Sequence, residues 1–148
     1  MPSSRRPAIG PVGYAAFVQL HHRGYEMYAR ARLGDSALAA LVVAQVLRMA
    51  ELSWSALMLR DNPVAFTWRA LRDAVTAARA RVRDSRTDGL HRALPDRPAD
   101  AALLHERLGM EPKAAAALMG LGEPELHVQL KAAHRMLAGL DHSQDGAA

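Results

Sequence analysis

The 148-residue sequence contains no cysteine, which excludes disulfides and thiolate zinc sites and suits a reducing cytoplasm. Aromatics make up only 5% of it and strand formers are sparse, while Ala, Leu and Arg are plentiful, so the expected fold class is all-α. No apolar run reaches the ~18 residues a bilayer-spanning helix needs; "ALAALVVAQVL" gives way to Arg48, and no membrane partner is expected. The opening "MPSSRRPAIGPVG" has two arginines but no apolar segment behind them, so it does not read as a secretory signal.

Catalytic groupings are lacking too. There is no phosphate-binding glycine loop, no nucleophile elbow and no carboxylate pair in an apolar setting. The seven histidines are scattered, and His127 and His134 share a helical face without enough acidic ligands for a metal. The expectation is a cytoplasmic helical protein that is not an enzyme and carries no metal or cofactor.

Lysine is nearly absent: 17 Arg stand against 2 Lys, for a net charge of +4. So modest an excess permits nucleic-acid contact without demanding it.

What is present is helical periodicity. Tyr14, Phe17, Val18, His21, Tyr25 and Tyr28 recur at three- and four-residue steps, predicting a first helix over about 14–32. Gly34 closes it and Asp35 is placed to cap the next. That second helix, about 36–54, carries Leu38, Leu41, Val42, Val46 and Met49 as a broad apolar stripe, expected to face the core. Asn62 and Pro63 then start a third helix as cap and first residue. Its apolar stripe is Val64, Trp68, Leu71, Val75, Ala78 and Val82, and Arg69, Arg72, Arg79, Arg83 and Arg86 gather on a neighbouring face. A polyanion partner and a solvated face of arginine stems are equal readings of that stripe.

Residues 1–83 therefore read as a helical domain and "DSRTDGLHRALPDRPAD", 84–100, as a linker. A second domain, 101–140, has a short helix ending at Gly109, another over "EPKAAAALMG", and a third from Glu123 with an apolar seam of Leu126, Leu130, Ala133, Leu137 and Leu140. The polar "DHSQDGAA", 141–148, reads as a flexible tail. In "GLGEPELHVQL" Gly120 ends a helix, Leu121 plugs a turn and Pro124 begins the next helix, the grammar of a helix-turn-helix.

The order of these segments resembles a small two-domain RNA polymerase sigma factor of the sigma-70 family, extracytoplasmic-function type. "YARARLGDSALAALVVAQVL" with "DNPVAFTWRALRDAVTAARARV" is similar to that family's region 2, and "LLHERLGMEPKAAAALMGLGEPELHVQLKAAHRML" to its region 4. The resemblance covers about residues 14–140. It implies that Ala40, Leu41, Ala44, Gln45 and Arg48 meet core RNA polymerase. It further implies that Arg69, Arg72, Arg79 and Arg83 handle the −10 strand of promoter DNA, and that His127, Gln129, Lys131 and Arg135 approach the −35 groove.

Departures accompany the match. Where the family carries Glu-Asp-Val-Val-Gln-Glu, this sequence reads "ALVVAQ", losing carboxylates. Where the family carries Gly-Thr-Val-Lys-Ser-Arg, it reads Pro124 to Gln129, losing both cations and gaining Glu125, which repels phosphates. Two functions follow as expectations. One is a sigma-like regulator that binds polymerase and promoter DNA to direct initiation. The other is a degenerate sigma-like module that binds another regulator or an anti-sigma factor, or self-associates, without reading DNA.

Overall fold

The computed structural model describes residues 13–81 and 89–146, with side chains up to residue 142. The chain divides into two compact units, Met1–Arg83 and Asp84–Ala148. All regular structure among the described residues is helical. None of these helices is long and apolar enough to cross a membrane.

In the first unit, α1 (Tyr14–Leu33) ends at Gly34, whose positive φ of 69° is the left-handed cap glycine tolerates. Asp35 then caps α2 (Ser36–Leu52), its side chain accepting from the Leu38 amide at 3.0 Å. The second helix stops earlier than its periodicity predicts. The Ser53 hydroxyl donates to the Met49 carbonyl at 2.6 Å, and a separate short helix, α3 (Trp54–Met58), follows. The Ser53 amide donates to the same carbonyl at 3.0 Å, and a hydroxyl sharing that acceptor tends to bend a helix. Asn62 caps α4 (Pro63–Ala80) by accepting from the Ala65 amide at 3.0 Å, with Pro63 in the first turn. Val82, Arg83 and Arg86 lie outside the described residues.

The core of this unit is aromatic. Phe17, Tyr25, Tyr28, Trp54 and Trp68 are buried and meet edge-on or tilted, Tyr28 and Trp68 with centroids 4.5 Å apart. Each such ring contributes roughly 2–3 kcal/mol by burial. Tyr14 ties α1 to α2 by donating its hydroxyl to the Leu47 carbonyl at 2.8 Å. Arg32, also buried, reaches from α1 to α4: one guanidinium nitrogen donates to Tyr28 Oη and to Thr76 Oγ1, each at 3.1 Å.

The second unit begins before residue 101, which corrects the linker expected over 84–100. Residues 90–93 form α5 (Leu90–Ala93) and 96–102 form α6 (Asp96–Ala102), with Leu90, Leu94, Pro98, Ala99 and Asp100 buried. Pro98 occupies the first turn of α6, where no amide hydrogen is required. Leu94, ahead of Pro95, is extended as that position prefers. A buried pair, His91 Nε2 to Asp100 Oδ1 at 2.6 Å, joins the two helices. Hence the polar, proline-rich composition hid an ordered element.

A single π turn, Leu103–Arg107, leads to Gly109, with φ of 73°. His105 donates from Nδ1 to the Met110 carbonyl at 2.7 Å, fastening this corner. Helix α7 (Pro112–Met119) ends at Gly120, left-handed at φ 73°, and the Leu121 amide donates back to Ala116 at 2.8 Å. Helix α8 spans Glu123–Gly146, so residues 141–146 of the expected tail are helical. α6 and α7 pack with α8, and the π turn with α6 and α7, in a core that includes Leu104, Ala115, Leu126, Leu130 and Ala133. The seam of α8 is shorter than predicted: Leu137 is half-buried and Leu140 exposed.

Candidate functional site

Helix α2 is apolar on two sides. One stripe, Ala39, Val42, Val43, Val46, Leu47 and Ala50, is buried. The other contains Leu41, 56% exposed, Met49, 67% exposed, and Leu52, 74% exposed. Leu41 and Met49, expected in the core, thus face outward. The reason is registry: the stripe of α2 is wider than the face that α1 and α4 cover, and the valines win the inner positions. A helix apolar all round normally has neighbours all round, so this second stripe is a candidate contact surface.

The structure brings the sequence-predicted docking residues together on it. Ala40, Leu41, Ala44, Gln45 and Arg48 are all exposed. Leu41, Ala44, Gln45, Arg48 and Met49 line one shallow depression, and Leu41 and Gln45 also edge a cleft shared with Ala74, Ala77 and Arg81 of α4. A second cleft runs on between Val46, Met49 and Ala50 of α2 and Phe66, Ala70 and Ala74 of α4. Missed by the sequence reading were the α4 alanines. Their i, i+4 spacing at Ala70 and Ala74 was the available signal, and it reads equally as packing.

The arginine stripe of α4 is not uniform. Arg69 is exposed, whereas Arg72 and Arg79 are half-buried and engaged in interactions of their own. Arg83 lies outside the described residues. Of the two aromatics on α4, Trp68 is core, while Phe66 is 39% exposed beneath the Arg60 guanidinium, 3.6 Å from its centroid.

On α8, His127, Lys131 and Arg135 are exposed and Gln129 is half-buried. His127 lies 4.0 Å from Glu123 one turn back. Glu125 turns toward its own backbone, its Oε1 accepting from the Gly122 amide at 3.2 Å. The positive end of α8 is therefore already faced by Glu123 and Glu125. His134 pairs with Glu106. No cluster of three or more His, Asp or Glu suited to a metal occurs among the described residues.

Titration is perturbed chiefly in the first unit. Burial pushes the Tyr25 hydroxyl well above the usual tyrosine range and lowers His21. Tyr14 is raised by burial and, secondarily, by Glu51. Tyr25 Oη has no hydrogen-bond partner. These groups sit among rings with no adjacent nucleophile, an arrangement that serves packing.

The chain matches no family model, and no curated protein or solved structure shows significant similarity to it.

Proposed function

We propose that the protein is a sigma-like transcription regulator that acts in the cytoplasm by docking the outer face of α2 on RNA polymerase. The observation that carries this reading is the exposed stripe Leu41, Met49 and Leu52, which falls on the segment where the resemblance places polymerase contact. Helices α7 and α8 joined at Gly120 support a helix-turn-helix assignment for the second unit. A helix of this kind brings its exposed residues, here His127, Lys131 and Arg135, toward the major groove.

A second reading, a sigma-shaped module that binds a protein regulator without reading DNA, is favoured by one specific feature. Glu123 and Glu125 occupy the first turn of α8, where a phosphate would otherwise be drawn to the helix N-terminus.

The test is capture of purified core RNA polymerase by the wild-type protein and by Leu41→Glu, followed by transcription from a promoter library. Capture that Leu41→Glu abolishes, with new transcripts, is the expected result. No capture by the wild type sinks the polymerase reading, and capture without transcripts selects the second one.

A further inference from the structure

We infer that the open groove between α2 and α4 seats an acidic amphipathic helix supplied by another protein. This rests on the reading of α2 as a docking face and adds the shape and charge of the guest. The two α2–α4 clefts are neighbours, with Ala74 lining both, and laid end to end they make a trough that runs from Leu38 and Arg81 to Leu57 and Phe66. From Leu38 to Ser53 the α2 wall is about 22 Å long, roughly four helical turns. Ala70, Ala74, Ala77 and Ala78 supply short side chains on the α4 side, which lets an apolar ridge of another helix sit close.

Charge selects the guest. Arg81 stands at one end, Arg60 and Arg69 line the depression beside Phe66 at the other, and Arg48 flanks the outer wall. Asp61 is the acid among these lining residues. Glu51 lies 3.8 Å from Arg48, and Asp73 is exposed on α4 without lining a cleft. An apolar ridge flanked by carboxylates satisfies floor and rim together. A second copy in a two-fold contact would set the arginine ends against each other. A nucleic-acid backbone would gain nothing from a floor of alanine and leucine.

The experiment titrates the full chain into a labelled helix-forming peptide of about 18 residues, long enough for the trough. Leucines at helical spacing form one face, and glutamates flank it. A twin peptide carries lysine for glutamate, and fluorescence anisotropy reads both. The glutamate peptide is expected to bind at least about tenfold more tightly than its twin, a difference of about 1.4 kcal/mol. The double variant Arg69→Glu with Arg81→Glu is expected to narrow or invert that preference, and Ala77→Glu to abolish binding.

All three positions are exposed, and circular dichroism of each variant is the check that it folds. Equal binding of the two peptides, no binding of either, or a solution dimer that Ala77→Glu disperses overturns the inference. Polymerase capture with both peptides inert defeats the guest but keeps the regulator. Tight binding of the glutamate peptide without polymerase capture does the reverse.

Discussion

The amide of Gly122 donates to Oε1 of Glu125 at 3.2 Å, so the Glu125 carboxylate helps cap the start of its own helix, α8. A carboxylate three residues past the cap satisfies an orphan amide and faces the positive end of the dipole. Glutamine at this position keeps the hydrogen bond and removes the charge. Glu125→Gln is expected to leave stability within about 0.5 kcal/mol and to raise affinity for duplex DNA severalfold. Anisotropy at two salt concentrations checks it, and unchanged affinity would show that this end of α8 does not approach phosphates.

The arginines of α4 divide by burial. Arg72→Ala is expected to destabilise the first unit by about 1–2 kcal/mol, since its half-buried stem and its interactions are lost together. Arg69→Ala is expected to change stability little, because Arg69 is exposed. Urea denaturation of the two variants reads the contrast, and equal costs would contradict it.

His21, packed 4.6 Å from Phe17 and stacked on Tyr25, is held below the usual histidine range by burial. The unfolded chain therefore takes up a proton first as pH falls. The stability linked to this neutral ring is fully present above about pH 6.5 and declines below it. Melting at pH 7.5 and at pH 5 should show a loss in the wild type that is smaller in His21→Phe. An identical loss in both would assign the pH dependence elsewhere.

Asp100 is fully buried and within 2.6 Å of His91. Asp100→Ala strands a buried imidazole, and a cost of about 1–3 kcal/mol is expected for the second unit. A double-mutant cycle with His91→Ala should return a coupling of at least about 0.5 kcal/mol. Additive effects would mean that the pair is merely adjacent.

Helix starts were legible because their signals are local. Asp35, Asn62 with Pro63, and Gly34 and Gly120 at helix ends act within three or four residues of themselves, so no tertiary contact is needed to place them. The aromatic face of α1 was legible for the same reason, its period being a property of one helix. By contrast, the ordered stretch 90–100 was not, because its order comes from Leu90, Leu94 and the His91–Asp100 pair meeting across a chain reversal. Nothing in a polar, proline-rich run announces that meeting.

The outer face of α2 shows where the two levels part. The sequence by itself determined that α2 would carry a broad apolar stripe and that its segment Ala40 to Arg48 lacks carboxylates. Only the tertiary structure decided which side is buried. Val42, Val46 and Ala50 close against α1 and α4, leaving Leu41 and Met49 outward above the alanines of α4. Periodicity gives a helix its stripes, but which stripe meets the core is a competition among neighbours for the same contact area. That competition is resolved only when the helices pack.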